Sequence, residues 1–360
     1  MSETVHLILS SIQTVDDMVI AFADEERCRR LLEAMIWPEG RACPACGSTR
    51  SIALAGRDTG RHRARPGLYQ CSGADCRFQF TVTTRTPMHS TKLPLGIWLK
   101  AMWLILLQSD KGLSSVRLAE ALGISQPTAW RLGHALRLMM VRGDALGGTV
   151  EIDGFYVGGE PKKGVDGPDP GRGRKGLRKT LKTPVLAVVQ RPTDDLPGSP
   201  AGAARASVVK NLSANETARV LEKDVQRTAH LISDEWKSFV ALGHNFVTHE
   251  TVRHSKQEYV RGDVHANSAE GFNSRVRRTV AGVFHHISPE HADLYFHEIG
   301  FRWSQRIAGK KAYRRTRDGR MKSRRLWSRV TPALQIRHLL RGAQGQQIRR
   351  SSSGGIVINP

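Results

Sequence analysis

The patterning of this chain predicts a multidomain α/β protein, and three observations carry that prediction. Two cysteine pairs stand near the N-terminal end, a pair of short helical stretches joined through a glycine follows, and after Gly147 the apolar period changes from helical to alternating. At 360 residues the chain is long enough for two or three domains with at least one sizeable core.

Residues 15–37, "VDDMVIAFADEERCRRLLEAMIW", have Met18, Ala21, Phe22, Leu31, Leu32 and Met35 at helical spacing and predict one amphipathic helix, with Cys28 a small core-side residue. "WPEG" ends it. The pairs "CPACG" (Cys43, Cys46) and "CSGADC" (Cys71, Cys76) then predict a tetrahedral zinc ribbon with four thiolate ligands. The first pair forms a turn whose amides can bond the thiolates, the second is widened by two residues, and His62 is a weaker substitute ligand. From Thr91 a long apolar helix leads into a helix-turn-helix. Leu118, Ala119 and Leu122 face a core, Gly123 turns the chain, and Ser125 caps a second helix with Pro127 in its first turn. Gln126, Thr128, Arg131 and His134 are expected on the open face of that helix, where they could meet DNA.

Beyond Gly147 the order reads strand, strand, strand, helix, strand, helix, strand, helix, from "TVEIDGFYVGG" through "TPVLAVVQRP", "RASVVKNLS", "ANETARVLEKDV", "AHLISDEW", "KSFVALG" and "FVTHETVRH" to "HANSAEGFNSRVRRTVAG". That order is the one of an RNase H-like domain, a mixed sheet with helices on its faces. The expected layout is an N-terminal helix and zinc ribbon over 1–90, a helix-turn-helix region over 91–145, an RNase H-like domain over 146–303 and a basic tail over 304–360. The Gly-, Pro- and Lys/Arg-rich insertion 158–183 reads as a mobile loop suited to phosphate, and residues 194–204, "DDLPGSPAGAA", as a flexible turn. The closing "GAQGQQIRRSSSGGIVINP" reads as disordered.

Three acids matter in that topology: Asp153 in the first strand, Asp234 ending the fourth, and Glu270 in the helix after the fifth. Strands one and four are neighbours in an RNase H-like sheet, so the carboxylates converge. Clustered carboxylates stay ionised together when divalent cations neutralise them, and hard oxygen ligands select Mg2+ or Mn2+. A two-metal site of that kind activates a water or a 3'-hydroxyl and holds the leaving oxygen of a phosphoryl transfer. His285 and His286 point in different directions and read as structural or DNA-facing.

Charge gives the partner. Fifty-five Lys and Arg against 33 Asp and Glu leave a formal net charge of +22, which predicts nucleic acid ahead of a membrane. After Phe301 there are 16 Lys or Arg against Asp318 alone, with Trp303, Tyr313 and Trp327 interleaved, so DNA affinity should depend strongly on salt. No signal peptide or spanning segment is visible, since Lys100 interrupts "IWLKAMWLILL", and a cytoplasmic protein, associated with the nucleoid, is expected.

Thirty-five residues lie between Asp234 and Glu270. With "CPACG", "FTVTTRTPMHSTKLPLGIWLKAMWLI", "EIDGFYVGG", "SDEWKSF" and "HANSAEGFNSRVRRTVAGVFHHISPEHADLYFHEIGFRW", the chain resembles bacterial insertion-sequence transposases of the zinc-ribbon, DDE, ISXO type. The resemblance implies an RNase H-like core that nicks transposon ends and joins them to target DNA with divalent metal. It implies Asp153 and Asp234 as metal ligands, with Glu270 or Asn267 third. A carboxylate binds Mg2+ better than an amide, which favours Glu270. Arg277, two turns along the helix, suits a phosphate, and His265, just before it, a DNA or water contact. The partners implied are double-stranded DNA, both transposon ends and target, and further copies of the chain in a dimer or higher oligomer on DNA. The alternatives are a non-catalytic DNA-binding regulator derived from a transposase and a structure-selective nuclease.

Overall fold

A computed structural model of the chain describes residues 3–54, 66–108, 111–158, 182–194, 196–316, 319, 321–350 and 356–359. His62 and most of the basic insertion, residues 159–181, lie outside these. The chain divides into two compact units, one of residues 1–141 with 331–360 and the other of residues 142–330.

The first unit opens with helices α1 (Glu3–Ser11), α2 (Val15–Ala21) and α3 (Glu25–Ile36). The single helix expected over 15–37 is therefore two. Asp24 breaks it: its carboxylate accepts from the Arg27 amide at 2.6 Å and starts a new N-terminus, a stronger local preference than apolar spacing. Thr14 and Asp17 form a reciprocal capping box at the start of α2. Strands β1 (Ser51–Ala53), β2 (Tyr69–Cys71) and β3 (Gln79–Phe80) make a small antiparallel sheet around an aromatic cluster of Trp37, Tyr69 and Phe80. Helix α4 (Leu95–Trp103) continues as a π-helical turn over Leu104–Gln108. Glu25 of α3 accepts from the Leu95 and Gly96 amides, so one helix caps the next. Gly96 lies so close to the Phe22 carbonyl that a Cβ would fall 2.6 Å from its oxygen, which fixes how tightly α4 packs.

Helices α5 (Ser115–Leu122) and α6 (Gln126–Met139) form the expected helix-turn-helix, with Gly123 at φ 63° between them. His134 is not on its open face. It is fully buried with its ring 4.2 Å, edge to face, from that of Trp130. From Leu132 onward every residue of α6 is buried, so its polar face ends one turn earlier than spacing suggests.

The second unit holds a five-stranded mixed sheet. Its strands are β4 (Thr149–Val157), β5 (Thr183–Gln190), β6 (Ala204–Val208), β7 (His230–Asp234) and β8 (Thr248–Val252), in the spatial order β6-β5-β4-β7-β8. The pairs β4–β5 and β5–β6 are antiparallel, while β4–β7 and β7–β8 are parallel. This is the RNase H-like sheet, with strands one and four adjacent. Helices α7 (Ala214–Asp224) and α8 (Lys237–Leu242) cover one face. After the short ribbon β9 (Val260–Arg261) and β10 (Val264–His265), helices α9 (Asn267–Thr279) and α10 (Pro289–Ser304) cover the other. The division follows from alternation. Val150 and Ile152 enter the core under α7 and α8, whereas Phe155 and Val157 enter the core under α9 and α10. Residues 151 and 153 share the latter face.

The segment after Phe301 has more structure than a basic tail. Strands β11 (Arg306–Arg315) and β12 (Met321–Arg329) form an antiparallel ribbon. The turn expected to be flexible is tied to it, with Gly198 and Ala201 amides donating to the Ala308 and Arg306 carbonyls. The chain then re-enters the first unit as α11 (Pro332–Arg341), which buries Ala333, Ile336, Leu339 and Leu340 along one stripe. The end expected to be disordered carries a hairpin of β13 (Gln347–Arg350) and β14 (Ile356–Asn359). Short alternating runs there, "QIRR" and "IVIN", were masked by flanking Gly and Ser. Among the described residues no helix is long and apolar enough to cross a membrane.

Candidate metal centres and nucleic-acid site

Four sulfurs, those of Cys43, Cys46, Cys71 and Cys76, lie within 4.8 Å of one another. The first turn closes through the Gly47 amide on the Cys43 carbonyl, and β2 and β3 bring the second pair beneath it. Sγ separations are 3.7 Å for Cys43–Cys76 and 3.6 Å for Cys46–Cys71. Four sulfurs about 2.3 Å from a central Zn2+ would stand about 3.8 Å apart along the edges of a tetrahedron, so the set fits zinc. The widened second pair reaches that geometry because Cys71 ends a strand and the Gly73 amide turns back onto its sulfur at 3.3 Å. The Ser48 amide, ahead of the Cys76 thiol, pulls the Cys46 thiol down to about 7. Cys28 stands apart, buried, with its thiol pushed up to about 11 by that burial.

The acidic site forms where β4 and β7 run side by side. Thr149, Val150 and Glu151 pair with His230, Leu231 and Ile232. Continuing that register two residues brings Asp153 level with Asp234, although the two strands are no longer paired there. Both acids are half-buried. Burial raises the Asp153 carboxyl to about 6, and the charges of Asp234 and, more weakly, Glu270 push the same way. Burial also raises Asp234, opposed by the Trp236 amide that donates to it and by nearby His254. Glu270 and Asn267 sit exposed in the first turn of α9. Among the described residues only the thiolates draw together as tightly as a closed metal cluster; the three carboxylates approach without doing so.

Three further residues build this site, and sequence reasoning passed over them. Asn273, buried in α9, donates from Nδ2 to Asp153 Oδ2 at 2.7 Å. Its Oδ1 is buried with no hydrogen-bond partner among the described residues. Glu151, fully buried two residues before Asp153, accepts from the Ser268 and Ala269 amides at 2.7 and 2.9 Å and so holds the first turn of α9. Arg191 neutralises Glu151 at 2.5 Å and donates to the carbonyls of Asp263 and His265. The strand alternation that exposed Asp153 also put Glu151 on its face, and Asn273 lies one turn beyond Ala269 on α9. Hard carboxylate oxygens, mutual repulsion and an unpartnered amide oxygen together fit a divalent cation.

The expected DNA contacts are distributed over both units. Arg277 is exposed on the Asn267–Glu270 side of α9, its guanidinium 5.4 Å over the Phe155 ring. With Lys182, His285 and His286 it borders a cavity of about 320 Å³. His265 is committed to the Glu151–Arg191 network, its Nδ1 2.9 Å from Arg191, and burial, with Arg191 beside it, lowers its pKa. In the first unit Gln126 and Arg131 are exposed, and Thr128 partly so. Gln126 donates to Ser115 Oγ at 2.8 Å, bracing the turn, while Thr128 and Arg131 border a groove of about 700 Å³ with residues 87 and 89–93.

Comparison with known proteins follows this division. Residues 145–304 match the ISXO2-like transposase domain, and residues 23–79 match the transposase zinc-ribbon domain. A protein in transposable element ISH50 of Halobacterium salinarum is 29% identical over 269 residues, covering 71% of this chain and 83% of that one. The two matches, in this order along one chain, give it a transposase zinc ribbon followed by an ISXO2-like transposase domain.

Proposed function

We propose that this chain is a transposase that binds the terminal inverted repeats of an insertion sequence and cuts and joins DNA at the Asp153–Asp234 site. The observation that carries the reading is the meeting of these two acids, eighty-one residues apart in sequence, at one level of adjacent strands. Burial first, and then the charge of Asp234, raises the Asp153 carboxyl, and such a perturbed acid beside a second one is characteristic of a site built for chemistry.

Asp153, Asp234 and Glu270 would hold Mg2+ or Mn2+, with Asn267 beside Glu270. Bound there, a pair of such ions would supply an activated water or 3'-hydroxyl and a stabilised leaving oxygen. Asn273 orients the Asp153 carboxylate through its amide, leaving the other Asp153 oxygen for the cation. Glu151 keeps the first turn of α9 against β4 and so fixes where Glu270 stands. Arg277 offers positive charge to the flanking phosphate. The zinc ribbon and α6, through Gln126, Thr128 and Arg131, supply recognition of the ends, with His265 acting through the α9 support. Two ends must be brought together, so the working form is a dimer or higher oligomer on duplex DNA, at the nucleoid in the cytoplasm.

Incubating the zinc-loaded protein with labelled transposon-end DNA and Mg2+ tests this. Nicking at 3' ends or strand transfer, lost in Asp153→Asn and Asp234→Asn, is expected. End-specific binding without cleavage under any divalent metal would make the chain a DNA-binding regulator. Cutting of branched DNA regardless of terminal sequence would make it a structure-selective nuclease.

A further inference from the structure

The ribbon of β11 and β12 lies outside both matched segments, and its register is unusual. Its strands place Arg306 opposite Arg329, Lys311 opposite Arg325, and Arg314 opposite Lys322. Directly opposed like charges destabilise an antiparallel pair. From Arg306 to Arg329, both included, the sequence has eleven Lys or Arg and one acid, Asp318. The two strands contain no Asp, Glu, Asn or Gln.

The base of the ribbon is anchored. Ala308 is buried and donates to the Ser199 carbonyl, Ile307 bridges Pro200, and the Arg306 guanidinium lies 3.6 Å over Trp303 and 4.6 Å over Trp327. A register shift between Ala308 and Lys311 bends the strands where they leave the body. From Lys310 to Arg315 every residue is exposed, and Tyr313 and Met321 are 66% and 62% accessible. The exposed stretch Lys310–Arg315 is about 20 Å long, more than half a turn of duplex DNA, and a two-stranded ribbon fits the major groove.

We infer that this ribbon is a DNA clamp that lies along a groove of duplex DNA and grips its phosphates with little regard to sequence. Polyanion binding converts the opposed cations from a cost into a gain, and the lack of amide and carboxylate side chains removes two of the usual means of base readout. The inference rests on the transposase reading for its DNA partner, but binding tests it without any cleavage.

The experiment uses the full zinc-loaded chain without Mg2+, a random-sequence duplex of about two helical turns, and fluorescence anisotropy across a salt series. Replacing Lys310, Lys311, Arg314 and Arg315 together by Ser should weaken binding about tenfold or more and reduce the slope of log affinity against log salt by about 2 to 4. Swapping Lys and Arg at the same four positions should restore both. Far-ultraviolet circular dichroism and melting confirm that each variant folds. Unchanged affinity and slope in the Ser variant overturn the clamp, as does a charge-preserving swap that binds as poorly as the Ser variant. Weakened binding to single strands with duplex binding intact also overturns it. A wild-type chain that binds no duplex at all contradicts the transposase reading itself.

Discussion

The two candidate metal centres differ in how their ligands are assembled. The sulfurs come from two short turns, each pair within six residues, and stand 3.6 to 3.7 Å apart in the two closest contacts. The carboxylates come from β4, β7 and α9, and approach one another only through the pairing of the sheet and the packing of the helix on it. The sulfur site is closed by its own fold, as structural zinc sites are; the carboxylate site is open and electrostatically stressed, as sites with positions for substrate are. Local turns suffice to gather the four sulfurs, whereas the proposed reactive centre depends on long-range topology to bring its acids near one another.

The largest effect expected from that contrast is local unfolding on zinc loss. Cys43→Ser or Cys71→Ser should abolish stoichiometric zinc and strip hydrogen-exchange protection from the ribbon around β1–β3, while β4 and β5 stay protected. Structural zinc contributes about 10 kcal/mol or more to small domains, so partial occupancy with full protection would contradict a structural role. Next, Asp234→Asn should lower strand cleavage about a thousandfold or more, several kcal/mol of lost transition-state stabilisation, with melting preserved.

A smaller effect has the opposite sign on stability. The Asp153 carboxyl is raised from 3.8 to about 6, so the native state holds its proton more tightly than the unfolded chain. The associated stability is full below about 3.8 and is lost as pH rises through about 6. Asp153→Asn should therefore raise stability at pH 8 by about 1 to 3 kcal/mol while abolishing cleavage. Melting curves across pH check this, and a variant less stable than wild type at pH 8 would remove the stress from the account. Smallest is Asn273→Ala, expected to slow cleavage about tenfold by freeing the Asp153 carboxylate, with Asn273→Asp worse because it adds a fourth negative group.

Much of this contrast was legible in the sequence for a physical reason. Alternation in "TVEIDGFYV" and the element order specify the sheet, and the neighbouring of strands one and four follows from that topology. Thiolate spacing reports a local turn, so the zinc knot was visible too. What escaped depends on partners distant in sequence. Glu151 resembles any strand acid until the α9 amides arrive, and Asn273 any helix amide until Asp153 meets it. His134 was misplaced because helical spacing gives a face but not how far along the helix that face remains wet. Asp24 hid a helix break inside an amphipathic run, since a cap acts through one hydrogen bond that periodicity does not register.

On the proposed reading, Asp153 and Asp234 stand at one level of adjacent strands in order to bind divalent cations. Anomalous scattering from crystals of the zinc-loaded chain soaked in manganese should show a peak coordinated by both aspartates and absent in Asp153→Asn. Manganese bound elsewhere, with these two carboxylates left apart and unligated, would rule out a cation site there.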